Sequence, residues 1–210
     1  MNRINYDEKL SEIIRGLDHR PVLLMHSCCA PCSSYCLIYL MPYFDITCYY
    51  YNPNITDDGE YEKRARELER LADMLNDEFD PVRQGHAPVT VITGRYDPDS
   101  FIEEVRSRGL EDCPERGSRC GMCFDMRLRE TYREAERAGA EYFTTTLTIS
   151  PQKDAQLINS IGYGISEGGE RTKWLPSDFK KRDGYRKSVE LSGKYGLYRQ
   201  NYCGCVYSLR

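Results

Sequence analysis

Short apolar runs and amphipathic helical patterns alternate along the chain, and this alternation limits the fold more than any other feature does. Runs typical of buried strands lie at residues 21–27, 45–54, 89–94 and 141–149. Helical patterns lie at residues 6–16, 60–78, about 123–138 and about 182–195. Parallel strands need crossover helices between them. The sequence therefore predicts an α/β fold of three layers built on a mostly parallel sheet.

Local signals set the expected ends of several helices. Pro31 suits the first turn of a helix after the first strand. Asp99 is expected to cap the helix that follows the third strand, and Ser150 with Pro151 to cap a helix that runs through residue 162. Gly139 is expected to end the helix of residues 123–138.

Length and charge restrict the classes of protein that remain. The 210 residues suit a single α/β domain, with residues from about 163 to 210 as a basic and aromatic C-terminal extension. The net charge is −4, so any contact with nucleic acid must come from a local basic patch. No apolar run approaches the roughly 20 residues that span a bilayer, and the polar N-terminus does not resemble a signal peptide. We therefore expect a cytoplasmic protein with no membrane partner.

Ten cysteines are many for a chain of this length in a reducing compartment, where clustered thiols indicate metal or redox chemistry. Cys48 stands alone in an apolar run and is expected to be a buried core residue, as is Cys36. Apart from Cys48, the cysteines fall into three groups: Cys28, Cys29, Cys32 and Cys36; Cys113, Cys120 and Cys123; and Cys203 and Cys205.

The first two groups contain the spacing of a four-thiolate site. Cys120 and Cys123 form a CxxC pair that can face one metal, and Cys28 and Cys29 can do the same if they lie on a turn. Two cysteines from each group would hold a [4Fe–4S] cluster, and a structural zinc site is the alternative. Cys32 is expected in the first turn of a helix, where a thiolate is stabilised, as a nucleophile or as the ligand of a second metal.

Cys203-Gly-Cys205 is a CxC sequence in which Gly204 allows the two sulfurs to meet. A disulfide in so small a ring is strained, and strained disulfides tend to be labile or catalytic. The alternative is that both cysteines are further metal ligands.

Two other segments suggest binding. In TTTLTISPQKD (144–154), Lys153 and a helix N-terminus could attract an anion, although a strand with an ordinary cap explains the pattern equally well. The segment 173–187 mixes cations with aromatic residues, as single-stranded RNA loops require, and a solvated helix face is its alternative explanation. Its candidate RNA-binding residues are Lys173, Trp174, Lys180, Lys181, Arg182 and Lys187.

Several longer motifs together resemble a known family. These are HSCCAPCS, YNPNI, EYEKR, RCGMCFDMRL, YFTTTLTISPQKD, DFKKRDGYRKS and GLYRQNYCGC, in this order from about residue 21 to the C-terminus. Together they are similar to the QueH-type epoxyqueuosine reductases, whose fold resembles that of the pyrophosphatase-loop (HUP-like) tRNA enzymes. The resemblance implies a two-electron reduction of epoxyqueuosine to queuosine at the wobble position of tRNA, with an external electron donor.

The resemblance also implies roles for individual residues. Cys28, Cys29, Cys120 and Cys123 would hold a [4Fe–4S] cluster, and Cys203 with Cys205 would be a redox-active pair. A second metal ion, expected to be iron, would be held by Cys32 and Asp97. Asp112 and Lys153 are the proposed donors of the proton that the leaving oxygen takes up.

Three other classes of function remain compatible with the motifs. CC and CxxC groups also hold clusters in iron–sulfur proteins that transfer electrons to thiols and disulfides. HSCCAPCS occupies the position of the phosphate loop of a pyrophosphatase-loop tRNA thiolase, yet it contains no glycine. A zinc-stabilised RNA-binding module is the non-enzymatic alternative.

Overall fold

The computed structural model describes residues 3–169 and 171–208. Within these residues, five strands alternate with helices. The strands are β1 (Val22–His26), β2 (Asp45–Tyr50), β3 (Thr90–Thr93), β4 (Tyr142–Thr145) and β5 (Lys173–Trp174). The helices are α1 (Tyr6–Arg15), α2 (Ala30–Leu40), α3 (Asp58–Phe79), α4 (Pro98–Ser107), α5 (Ser118–Ala138), α6 (Ala155–Ser166) and α7 (Gly184–Lys194). Three short 3₁₀ turns lie at Val82–Gln84, Thr146–Ile149 and Val206–Ser208.

All five strands are parallel and lie in the order β3-β2-β1-β4-β5. Strand β1 is central, because the chain moves outward from it first towards β2 and β3 and later towards β4 and β5. This confirms the predicted three-layer α/β fold, with a sheet that is parallel throughout the described residues. The order reverses between β1 and β4, and ligands of such sheets bind outside the carboxyl ends of the strands at that reversal.

The two faces of the sheet are covered by different helices. Leu23 and Met25 of β1 point into a core with α1, α2, α3 and α7, whereas Leu24 points to the other face, which is covered by α5 and α6. Alternation of this kind follows from the two-residue period of a strand. Cys36 and Cys48 are fully buried in the first core, which confirms their prediction as packing residues.

Several helix ends differ from those that the sequence predicts. Asp97, not Asp99, caps α4, because its carboxylate accepts a hydrogen bond from the Ser100 amide and Pro98 takes the first helical position. Helix α5 begins at Ser118, so the CxxC pair lies in its first turns, and it ends at Gly139 as predicted, with φ +68°.

The segment 141–154 differs most from its predicted structure. The fourth strand ends at Thr145, because the Thr145 hydroxyl accepts a hydrogen bond from the Leu147 amide and starts a 3₁₀ turn. Ser150 and Pro151 lie in a turn before α6, and the cap is Asp154, which accepts from the Gln156 amide. Strand β5 was not predicted, since two residues are too few for a pattern.

No helix in the described ranges is long and apolar enough to cross a membrane.

Candidate active site

The loop after β1 carries Cys28 and Cys29 and is fixed by the strands on either side. On one side, the Ser27 amide donates to the Tyr49 carbonyl (2.9 Å). On the other side, the Thr146 hydroxyl lies 3.4 Å from the Cys28 amide, which donates to it. The thiols are therefore held at the carboxyl edge of the sheet, beside the reversal in strand order.

His26 strengthens this arrangement from within the sheet. Its Nε2 donates to the Tyr51 carbonyl (3.1 Å), and its Nδ1 accepts from the Thr145 hydroxyl (2.8 Å). Burial, with a smaller effect of the Arg127 cation, lowers the pKa of His26 to about 3, so the ring is neutral near neutral pH. The imidazole is thus a buried connector between β1, β2 and β4.

We expect His26 to make the protein sensitive to acid. The unfolded chain binds a proton on this ring below about pH 6.5, whereas the native state does so only near pH 3. Stability therefore rises with pH in this window and falls by about 1.4 kcal/mol for each pH unit of acidification. In urea titrations between pH 6 and 4, His26→Gln should show a shallower pH dependence than the parent protein. His86→Gln, a change at a half-buried histidine in the loop before β3, is the control, and an unchanged slope in His26→Gln would contradict this account.

Cys28, Cys29 and Cys32 form a compact thiol triad. Their three sulfurs lie within 4.8 Å of one another, and Cys28 Sγ is 3.8 Å from Cys29 Sγ. Cys29 is the N-cap of α2 and Cys32 lies in its first turn, as predicted, so backbone N–H groups and the positive end of the helix dipole favour negative charge here.

The three thiols of the triad differ in pKa. Hydrogen bonds from Cys29 and Cys32 hold the pKa of Cys28 well below its usual range. The hydrogen bonds to Cys28, with burial, raise the pKa of Cys29 to about 12 and also raise that of Cys32. Of the three thiols, Cys28 is therefore the one whose charged form the site favours, not Cys32 as the helix dipole alone would suggest.

The CxxC pair lies on the first turns of α5. Cys120 and Cys123 are three residues apart on this helix and so share a face. The Arg116 amide donates to Cys120 Sγ (3.3 Å), and Cys123 is buried. Burial raises the pKa of Cys123, partly offset by the nearby Arg127 cation. A second helix N-terminus therefore brings thiols to the site.

The CxC segment folds back over the same edge of the sheet. Cys203 is exposed and Cys205 is buried. Hydrogen bonding to Cys205 lowers the pKa of Cys203 to about 5, whereas the same contact and burial raise the pKa of Cys205. Gly204 has φ +93°, and a Cβ there would lie 2.7 Å from Ile55 Cγ1, so glycine is required both for the turn and for space.

The loop after β2 connects these segments. Asn52 Nδ2 donates to the Ser27 carbonyl (3.0 Å), directly before Cys28. Asn54 Nδ2 donates to the Cys203 carbonyl (3.2 Å), and the Arg64 guanidinium donates to the same oxygen (3.2 Å). The two asparagines of the YNPNI loop thus hold the backbone of two of the three cysteine groups in place by hydrogen bonds to carbonyl oxygens.

Two adjoining cavities bring the cysteine groups together. One, of about 450 Å³, is lined by Cys120, Cys123, Cys203 and Cys205. The other, of about 410 Å³, is lined by Cys28, Cys32 and Cys203. The cavities share a wall, whose residues are Glu115, Arg127, Gln152, Lys153 and Cys203.

Lys153, a predicted proton donor, is half-buried in the shared wall and lines both cavities. Desolvation lowers its pKa, but the neighbouring thiols of the triad outweigh that effect and raise the pKa overall. The ammonium group is therefore charged at neutral pH and faces both cavities.

Other predicted residues are not brought to this site. Asp97 caps α4, pairs with Arg95 and lines a third cavity, whereas Cys32 lines the second, so the two predicted ligands of a second metal face different cavities. Asp112 is exposed in the loop between α4 and α5 and lines neither thiol cavity.

The predicted RNA-binding residues also separate. Trp174 is 3 % exposed, packs against Phe143 and donates to Asn159 Oδ1, so the prediction that it contacts RNA is wrong. Phe179 is buried as well, whereas Tyr185 is 42 % exposed and lines the second cavity.

The cations of this segment differ in their surroundings. Lys180 lines the first cavity and pairs with Asp178 (2.5 Å), and Arg182 is tied to Asp7 of α1 (2.9 Å). Lys173, at the outer strand β5, and Lys181 are exposed. Lys187 Nζ lies 5.5 Å from the centre of the Tyr35 ring.

Sequence reasoning missed the polar residues that hold the site together. Asn52, Asn54, Arg64 and Arg127 are each less than 5 % exposed. In the sequence, only the positions of these residues indicate that they belong to the site. Both asparagines follow a buried strand, and Arg127 follows Cys123 by one helical turn and so shares its face.

The donor set fits a thiolate-bound metal group. Sulfur ligands select zinc, copper(I) or iron–sulfur clusters, and an apolar shell surrounds Cys28 and Cys29 that includes Leu24 and Phe124. Cys120 packs against this same shell. The sulfurs of the triad and the CxxC pair thus converge from two helix N-termini on one region.

A family model and individual proteins of known sequence all relate this chain to one family. A family model described as epoxyqueuosine reductase QueH matches residues 23–210. Proteins of that name from Streptococcus pyogenes serotype M1 and Staphylococcus epidermidis are 43 % and 42 % identical, over 99 % and 98 % of this chain and 79 % and 85 % of their own. The protein of that name from Thermotoga maritima is 35 % identical over 89 % of this chain and 90 % of its own.

Proposed function

The chain belongs to the epoxyqueuosine reductase QueH family, and from this premise we propose that it reduces epoxyqueuosine to queuosine at the wobble position of tRNA. The single observation that carries the proposal is the convergence of three cysteine groups on two adjoining cavities that share Lys153 and Arg127. Thiols in such number, beside fixed cations, suit electron transfer to a substrate that enters from outside.

The proposed reaction takes two electrons and two protons. Both C–O bonds of the epoxide are broken, the two carbons become an alkene, and the oxygen leaves as water. A [4Fe–4S] cluster held by Cys28, Cys29, Cys120 and Cys123, with a metal ion at Cys32, would supply single electrons and polarise the epoxide C–O bond. Asp97 is not part of this proposal.

The chain's own residues then have distinct tasks. Lys153, charged and directed to both cavities, would donate a proton to the departing oxygen. Cys203 would be a thiolate near neutral pH and Cys205 its buried partner, an arrangement suited to a pair that alternates between dithiol and disulfide. Oxidation of this thiolate–thiol pair to a disulfide would release two electrons and one proton, and Lys153 would supply the second proton that the reaction takes up. An external donor would reduce the disulfide again.

A test in cells can establish the activity without purified cluster. A bacterial strain whose own epoxyqueuosine reductase is deleted accumulates the epoxide in its tRNA. Expression of this chain should convert that nucleoside to one lighter by the mass of an oxygen atom, as measured by mass spectrometry of digested tRNA. A Lys153→Met variant should convert far less. Unchanged epoxyqueuosine in cells that contain the soluble wild-type chain would refute the proposal.

We further propose that the C-terminal extension, from about residue 163, belongs to the same domain as the sheet. The anticodon arm of the tRNA would contact this extension. Lys181 and Lys187 are exposed cations on this extension, and Tyr185 between them lines the second cavity. Phosphates would meet the two lysines, and an unstacked base could lie against the tyrosine ring. Lys180 would stand at the entrance of the first cavity.

Replacing Lys181 and Lys187 with alanine should weaken tRNA binding because two phosphate contacts are lost. The slope of log affinity against log salt should become shallower by about 1.4 to 1.8. Filter binding or anisotropy at several salt concentrations measures this change. The matched control removes Arg15 and Arg83, which are exposed near the amino edge of the sheet, and should leave the slope unchanged. Equal slopes in the two double variants would remove these lysines from the RNA site.

A further inference from the structure

Arg127 is a buried cation with neutral hydrogen-bond partners. Arg127 is only 4 % exposed to solvent. Nε donates to the Cys123 carbonyl (3.3 Å), and Nη1 donates to Asn52 Oδ1 (3.3 Å). Among residues 3–169 and 171–208, no carboxylate forms an ion pair with it. Burying an unpaired charge is unfavourable, so its retention calls for a negative group nearby.

Two other buried arginines in the described part of the chain show how such charges are otherwise accommodated. Arg64 pairs with Glu60 (2.7 Å). Arg119 donates to the carbonyls of Leu110 and Glu111 and lies 4.9 Å from the centre of the Tyr207 ring. Arg127 has no carboxylate partner among the described residues and, unlike Arg119, lines both thiol cavities. Glu115 lines the same shared wall but is exposed and forms no ion pair with Arg127, so the thiols are the buried source of negative charge beside this guanidinium.

We propose that Arg127 is a positioning residue that serves as the fixed counter-charge of the thiolate-held redox group and links two of the segments that hold it. Its hydrogen bonds join the CxxC turn to Asn52, and Asn52 binds the carbonyl directly before Cys28. A fixed cation stabilises the more negative, reduced state relative to the oxidised state. This inference rests on the proposed function, because it requires that a redox-active group be bound.

The test is the reduction potential of anaerobically reconstituted protein without tRNA. Arg127→Met should lower the equilibrium constant for one-electron reduction at least tenfold, a shift of about 59 mV to more negative potential. Arg127→Lys keeps the charge and should restore most of the loss. Arg129→Met, an exposed position on the same helix that pairs with Asp125, is the control and should match the parent protein. A parental potential in Arg127→Met at full iron content would overturn the proposal.

Failure of the methionine variant to bind iron also decides the question. If Arg127→Lys binds a full complement of iron while Arg127→Met binds none and stays folded by circular dichroism, the charge is required, as we propose. If lysine and methionine fail equally while folded, the charge is not the property that matters, and the proposal is wrong. Should the methionine variant not fold, Arg127→Gln, which keeps a hydrogen-bond donor without the charge, must lower the potential, and a parental value would overturn the proposal.

These outcomes are separable from the proposed reaction. The potential is measured without substrate, so a shift in Arg127→Met stands even if the chain does not act on epoxyqueuosine. Conversely, a chain that converts epoxyqueuosine but shows the same potential in both proteins refutes the role of Arg127 alone.

Discussion

Cys29→Ser and Cys123→Ser are each expected to lose the visible absorption of the cluster together with turnover. A hydroxyl is a poor ligand for iron where a thiolate is needed, and each change removes one of four proposed ligands. The loss should exceed the roughly 100-fold that removal of an outer-shell partner costs. Anaerobic reconstitution, iron and sulfide analysis and an activity assay on tRNA measure both effects in the same samples.

Cys48→Ala is the matched control for these variants, since Cys48 is buried among apolar residues and takes no part in the site. It should keep a full cluster and parental turnover, with a modest loss of thermal stability. A full cluster in either Cys29→Ser or Cys123→Ser would show that the ligand assignment is wrong. Zinc in place of iron after anaerobic purification from iron-supplemented cells would contradict the redox role itself.

Cys205→Ser is expected to leave the iron content intact while turnover falls sharply. The physical reason is that Cys203 and Cys205 are held by each other and by the loop after β2, with no need of a metal. Without Cys205, the dithiol that would supply two electrons cannot form, and one cluster passes only a single electron at a time where the reaction takes two. Product formed per enzyme, compared in single- and multiple-turnover assays, measures the effect.

The ionisation of Cys203 gives an independent readout of the same pair. Its pKa of about 5 means that the thiolate is lost only as the pH falls through 5, so alkylation by iodoacetamide should stay fast from pH 8 to pH 6. In Cys205→Ser the stabilising thiol is gone, and the midpoint of the alkylation profile should move to higher pH. Loss of iron in both Cys203→Ser and Cys205→Ser would instead make these residues metal ligands.

The sequence was sufficient to predict the fold because the strands and helices carry strong periodic patterns. The central strand at 21–27 and the helix at 60–78 were located to within a few residues. The helix ends near Asp97 and Asp154 were missed, since several polar residues there could each form the cap and only backbone geometry selects one. Strand β5 is too short to leave a pattern.

The site was less predictable than the fold, and the reason lies in which faces the helices bury. A basic-aromatic segment does not reveal that Trp174 turns inward to meet Phe143 while Tyr185 turns outward. Likewise, an amphipathic helix rich in arginine does not show that Arg127 is the arginine that turns inward to line both thiol cavities. Spacing identified the cysteines, but tertiary packing determined that Cys32 joins Cys28 and Cys29.

The most direct test of the central claim is anaerobic incubation of the reconstituted protein with epoxyqueuosine-containing tRNA and a strong reductant, followed by nucleoside analysis. The account predicts that queuosine appears as epoxyqueuosine disappears, in amounts exceeding the enzyme, and that omission of the reductant limits the product to what the stored electrons allow. Epoxyqueuosine that remains unchanged in the presence of iron-loaded protein and reductant would contradict it.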